Sequence, residues 1–423
     1  MDARIASVMA RQILDSRGRP TVEADVLTED GNLGRASVPS GASTGQHEAH
    51  ELRDGIPTAY DGATVLTAVH NVTDTLGPAI RGLDACDQPA IDARLIEVDG
   101  TPNKSRLGAN ALLAVSLAAA RAAAECRRLP VWRYLAGSQQ PLLPRPMINA
   151  ISGGAHASRN LDVQDFLIVP VGAETYTQAL DMGASVLRAL RTSLTVRGFS
   201  TLRADEGGFG PPLSSNRQAL ELIIEAIEGA GYTPGDQVAI AIDFAASQFF
   251  DASSQTYQLA AEGLTHTTES LIEMISGWTQ AYPIVSIEDP LDEDDWDGWR
   301  ALNGQLGNDV QIIGDDLFTT NPERLHHGIE MRVANAVLVK MNQIGTLTET
   351  LDVVRIARAA GYRCVISARS GETEDPFMAD LAVATAAGQI KIGSLTQSER
   401  LAKYNQLLRI EEALKPNPPF ARG

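Results

Sequence analysis

Five apolar runs in this chain each end on one charged residue. Asp243 closes VAIAI, Glu288 closes IVSI, Asp315 follows IIG, Lys340 follows VLV, and Lys391 sits in QIKIG. Val/Ile-rich stretches of strand length, spaced by helix-length segments, read as parallel β-strands of an α/β barrel, whose chemistry sits at the C-terminal strand ends. Three carboxylates and two lysines then converge on one mouth. Carboxylates so placed suit a hard divalent cation held through oxygen, and a lysine beside it suits removal of a proton from carbon next to a carboxylate.

The chain has 423 residues. A barrel takes about 250, so a smaller second domain is expected. Residues 4–38 alternate with the two-residue period of antiparallel strands, with DSRG and EDG as turns, and helical periodicity follows over residues 59–136. The run QQPLLPRP, residues 139–146, marks the boundary between an α+β capping domain, 1–138, and the barrel, 139–423. Beyond it lie eight strand candidates: PMINAI, DFLIVPV, VAIAID, IVSIE, VQIIGD, AVLVK, CVISA and QIKIG.

A formal charge of −18 argues against a nucleic-acid surface, which needs basic patches. An anionic small molecule remains compatible, given local Lys, Arg and metal. Cys86, Cys126 and Cys364 are odd in number and far apart, which fits free thiols in a reducing cytoplasm rather than a disulfide framework or zinc site. No apolar leader is visible at the N-terminus, so secretion is not expected. The apolar stretch over residues 111–124 is short for a membrane span, carries Arg121, and reads as a buried helix.

Close carboxylates at Asp243, Glu288 and Asp315 repel unless a cation neutralises them, and the contexts IEDP and GDDL favour Mg²⁺. Near such a cation and near Lys391, the pKa of Lys340 is expected to fall, which suits a base; a salt bridge to one of the carboxylates is the plain alternative. SVPSGASTG, residues 37–45, could close over an anion or be a simple connector. Glu206 lies beside two glycines in RADEGGFGPP, and His156 lies in SGGAHASRN; each gains weight only from its company. Arg369 and Ser370 follow another apolar strand, where the guanidinium fork suits phosphate or, alternatively, a carboxylate bridge. The acidic run DEDDWDGW, residues 292–299, reads as a solvated helix start.

Taken together, ARQILDSRGRPTVE, VPSGASTG, NKSRLGANA, DEGGFGP, SIEDP, GDDL, KMNQIGTLTE, RSGETEDPF and SERLAKYNQLLRIEE resemble the blocks of the enolase family, in order, over nearly the whole chain. The resemblance implies an N-terminal α+β domain and a barrel whose second strand is antiparallel, replacing the all-parallel expectation. It further implies Lys340 as the base that removes the α-proton of a 2-phosphoglycerate-like substrate and Glu206 as the acid that assists loss of the 3-hydroxyl. Two Mg²⁺ ions are implied, one held by Asp243, Glu288 and Asp315 and one by Ser40 in a mobile loop. Lys391 would pair with substrate, Arg369 and Ser370 would cradle phosphate, and His156, Gln164 and Asp165 would complete the wall. A homodimer or larger homo-oligomer is expected.

The departures cluster near the substrate. The family's His before Arg-Ser-Gly-Glu is Ala368 here, and its Gln-Glu-Phe is Gln164-Asp165-Phe166. Ser152 replaces an Asn, Ala204 a Gly, Phe244 a small residue, Ile392 a Thr and Gln397 an Arg. A site tuned to near-contact geometry loses rate from such changes. A weakened housekeeping enolase is one reading. A paralogue performing the same elimination on a bulkier substrate is the favoured one, as in the enolase-like dehydratases of phosphinate pathways, whose product is carboxyphosphonoenolpyruvate. A non-catalytic enolase-like binding protein is the third, and retention of Lys340, Glu206 and the carboxylates argues against it.

Overall fold

The computed structural model describes residues 2–42, 44–157 and 159–422. Ser43 of the 37–45 loop and Ser158 of SGGAHASRN lie outside the described residues. The chain opens with the antiparallel meander β1 (Ile5–Leu14), β2 (Pro20–Thr28) and β3 (Leu33–Ser37). The DSRG turn works because Asp15 Oδ1 accepts the amides of Arg17 and Arg19 while Gly18 takes a φ of +70°. Over this sheet lies the helix Ala109–Arg127, the one helix among the described residues long and apolar enough to cross a membrane, with 89% of its apolar window buried inside the molecule. Its alanines let the backbones approach closely. A Cβ at Gly34 would stand 2.0 Å from the carbonyl oxygen of Ala118.

All eight strand candidates form the barrel: β4 (Arg145–Ser152), β5 (Asp165–Val169), β6 (Ala239–Asp243), then β10 (Ile284–Glu288), β11 (Gln311–Gly314), β12 (Ala336–Val339), β13 (Arg363–Ser367) and β14 (Gly388–Gly393). The sheet closes by pairing β14 with β4. Strand β5 runs antiparallel to both neighbours, because residues 153–164 return directly from β4 without a crossover helix. As a result Asp165, the first residue of β5, lies opposite Asp243, the last residue of β6. Two helices, Tyr176–Val196 and Asn216–Gly229, then precede β6. The boundary run overlaps the barrel at its end, since Arg145 and Pro146 already belong to β4.

Between β6 and β10 a small sheet, β7 (Phe250–Asp251), β8 (Thr256–Leu259) and β9 (Leu264–His266), flanks the mouth. The barrel interior is plugged by Met147, Leu167, Val169, Ala241, Ile313, Ala336, Leu338 and Val365. The acidic run differs from a solvated helix start. Asp295 does cap the helix Trp296–Leu306, but Trp299 is fully buried and Glu293 is buried to accept the amide of Gln46. The N-terminal part holds the barrel through Arg121 to Asp375 (2.5 Å), Lys104 to Glu349 (2.9 Å) and Asp92 accepting the amide of Thr348 (2.8 Å).

Candidate active site

The barrel register carries Asp243 and Glu288 to the same level, as direct partners across β6 and β10. Lys391, from β14, reaches both across the mouth, with Nζ 2.6 Å from Asp243 and 2.8 Å from Glu288. Gln164 donates to Asp243 at 3.1 Å and accepts from Gln248 at 2.6 Å. Burial opposes charge on all three ionisable groups. Lys391 nonetheless holds Asp243 below the usual carboxylate range, and Asp243 and Glu288 raise Lys391 well above the usual lysine value. Burial and the facing Asp243 push Glu288 well up.

Asp315, one strand further at the end of β11, accepts from Gln343 at 2.9 Å and is bridged by the Nζ of Lys340. The salt-bridge alternative for Lys340 is therefore the observed arrangement. Burial lowers its pKa, but Asp315, Glu288 and Asp316 together outweigh burial and raise it. Asp289, held at a φ of +42°, accepts the amides of Asp315 (2.8 Å) and Asp316 (2.7 Å). Carboxylate oxygens of Asp289, Asp315 and Asp316 lie within 4.8 Å of one another. Asp289 and Asp316 did not emerge from the sequence, although IEDP and GDDL contain them. Glu288 Oε2 is buried with no hydrogen-bond partner among the described residues. An unsatisfied carboxylate oxygen beside a second carboxylate fits an oxygen-ligated divalent cation.

On the opposite flank, Glu206 accepts from Asn149 at 3.2 Å, and His156 Nε2 stands 3.9 Å from its other oxygen. His156 Nδ1 lies 3.2 Å from Asp165, whose second oxygen accepts from Ser152 Oγ at 2.6 Å. Burial disfavours the imidazolium, yet Glu206 and Asp165 outweigh it and raise His156 to about 9. His156 is thus charged at neutral pH and donates toward both carboxylates. The loop carrying Glu206 is fixed by close approach: a Cβ at Gly208 would meet Ser152 Oγ at 2.4 Å.

Arg369 forms a fork with Glu48 (3.0 and 3.1 Å) and donates to Asn342 at 3.0 Å, the carboxylate-bridge alternative. Ser370 Oγ accepts the Ala42 amide at 2.6 Å and Arg17 at 3.2 Å. Ser40 is buried beside them; its hydroxyl donates to Glu51 (3.1 Å) and accepts from Arg53 (2.9 Å), and its backbone bridges Gly371. It makes no hydrogen bond to the strand-end carboxylates among the described residues. Arg400, fully buried, ties these loops together by donating to the carbonyls of Arg369 (2.7 Å), Ser370 (2.7 Å) and Ile392 (3.0 Å). Asn149, Glu48, Gln343 and Arg400 were not legible as site residues, since each is an ordinary polar residue in the linear chain.

The substitutions sort by location. Ala368, Asp165 and Ser152, all smaller than their family counterparts, belong to the mouth: Ala368 donates its amide to the carbonyl of Lys391 at 2.8 Å. The enlarged Phe244 stacks on Trp278 at 5.8 Å between ring centres, and Ile392 packs into the main core.

Fold and site together define a TIM-barrel enzyme with acid–base and carboxylate groups gathered at the C-terminal strand ends. The chain belongs to the enolase family. The enolase N-terminal domain matches residues 5–135, and the enolase C-terminal TIM barrel domain matches residues 140–422. Membership makes the protein an enolase-type lyase whose acidic groups could bind metal, and enolases typically use Mg²⁺.

Proposed function

We propose that this lyase removes water from a 2-phosphoglycerate-like substrate bearing an extra group on phosphorus, giving a product such as carboxyphosphonoenolpyruvate. The observation that carries this reading is the placement of Lys340 and Glu206 on opposite flanks of the Lys391–Asp243–Glu288 centre, in a mouth widened by the smaller side chains of Ala368, Asp165 and Ser152. Lys340 Nζ takes the proton from the carbon beside the substrate carboxylate. The electron pair left there expels the 3-hydroxyl, which leaves as water with a proton passed from the charged His156 through Glu206, whose own pKa is held down, against burial, by His156 and the nearby cations. His156, charged and anchored by Asp165, keeps Glu206 oriented. Lys391 offers a cation to the substrate carboxylate, and Arg369 with Ser370 offers donors to the phosphorus oxygens once Arg369 exchanges Glu48 for substrate.

Asp243, Glu288 and Asp315 are the residues that would hold Mg²⁺, which when bound neutralises negative charge growing on the substrate carboxylate. Neutralising these carboxylates also removes the attraction that keeps Lys340 charged, leaving burial to lower its pKa. A homodimer or larger assembly in the cytoplasm is part of the reading, supported by exposed Met9 and Leu14 on the sheet-edge strand β1.

The test is kcat/KM for 2-phosphoglycerate and for its P-carboxylated analogue. The parent protein is expected to prefer the analogue by about tenfold or more, and Ala368→His with Asp165→Glu to shift preference back. Efficient turnover of 2-phosphoglycerate by the parent, with no gain on restoring His and Glu, identifies a housekeeping enolase instead.

A further inference from the structure

At the end of the barrel away from the carboxylates there is a second cavity, of about 780 Å³. Its wall includes Arg145 at the start of β4, Arg358, Arg363 and, from the C-terminal segment, Arg422. In a chain of net charge −18, four guanidiniums around one cavity are a strong local reversal. The acidic group facing them from the wall is Asp309. Among the described residues no ion pair joins any of these four arginines to a carboxylate.

Arg145 is the unusual member. It is only 7% exposed, its Nη2 donates to the carbonyl of Ala421 at 3.2 Å, and its Nε is buried with no partner among the described residues. Strand alternation explains the placement. Met147, two residues on, fills the barrel interior, and Asn149, two further, donates to Glu206, so Arg145 occupies the same inward face one layer below. Burial lowers its pKa, with no charged neighbour to compensate. A buried guanidinium without a counter-charge is unfavourable unless an anion pairs with it. Nearby, Gln311 and Gln389 bond to each other (3.1 and 2.7 Å), and Val169, Val171, Val285, Tyr362 and Phe420 supply apolar wall.

We propose that this cavity is a binding site for a phosphate monoester with an apolar body, its dianion held by Arg145 beneath and by Arg358, Arg363 and Arg422 at the rim. A dianion is favoured over a carboxylate because, among the described residues of the wall, four guanidiniums oppose Asp309. The site is separate from the catalytic mouth, the plugged barrel interior lying between them.

The experiment is isothermal titration calorimetry of the full chain, in excess chelator, with phenyl phosphate, inorganic phosphate and benzoate. One site is expected, tighter for phenyl phosphate than for the other two. Arg145→Gln is expected to weaken it tenfold or more, as loss of a charged hydrogen bond does, and Arg369→Gln to leave it unchanged. Arg363→Gln, at an exposed position, is expected to weaken it severalfold even if Arg145→Gln fails to fold. Three results overturn the proposal: no binding to the parent chain, binding lost in Arg369→Gln but kept in Arg363→Gln, or equal affinity for benzoate and phenyl phosphate.

Discussion

Lys391 lies within β14 and Lys340 directly follows β12, and their partners separate their roles. Lys391 is shared by two carboxylates that face each other in register, whereas the direct ion pair of Lys340 is with Asp315, on the neighbouring strand. Of the two, Lys340 is the one whose charge depends chiefly on a single carboxylate that a cation would neutralise. Lys340→Ala is expected to cut exchange of the substrate α-proton by about 10³-fold or more while leaving far-UV circular dichroism unchanged, since it removes the general base. Deuterium incorporation followed by NMR reads this directly, and exchange near the parent rate would assign the base elsewhere. The salt-bridge state of both lysines was open in the sequence, because which carboxylate a strand-end lysine meets depends on barrel register and not on its own neighbours in the chain.

At the scale of elements, the two halves meet where the helix Phe377–Ala384 packs on the helix Val131–Ala136. Asp380 is buried in that helix and accepts from Gln406 at 2.9 Å. Burial raises its pKa from 3.8 to about 6. An acid whose pKa is raised on folding favours the native state only while protonated. Its contribution is complete below pH 3.8 and is lost as pH rises through about 6, above which the buried charge is a cost. Asp380→Asn is therefore expected to stabilise the protein by about 1–3 kcal/mol at pH 7.5 and by little at pH 4. Urea denaturation at the two pH values measures this, and an equal effect at both would refute it. Asp380 owes this character to the docking of the helix Phe377–Ala384 against the N-terminal half, a long-range packing that the local sequence does not contain.

At the scale of the molecule, the candidate cation ligands come from three separate strands, so binding there is coupled to closure of the whole barrel. Mg²⁺ is expected to raise the thermal midpoint of the intact chain, with about 2.7 kcal/mol of stabilisation at a hundredfold excess over Kd. Asp315→Asn is expected to raise the Mg²⁺ concentration for half-maximal effect by tenfold or more, both in melting and in activity. Activity that survives excess chelator, or a melting shift unaltered by Asp315→Asn, would remove Asp315 from the ligand set.

The amino-acid pattern alone fixed the strand inventory of the barrel, because a buried parallel strand must be a short Val/Ile-rich run and a charge can end it only where it reaches a functional mouth. It also marked Asp243, Glu288, Asp315, Lys340 and Lys391, since charged residues at such places stand out against their apolar neighbours. Tertiary structure decided the rest. The reversal of β5 that sets Asp165 against Asp243, the His156–Asp165–Glu206 chain, the Arg369–Glu48 pair between loop and barrel, and the burial of Glu293 all join residues distant in sequence. Closure of the barrel selects those pairings through distance and loss of water, two quantities that the order of residues does not contain.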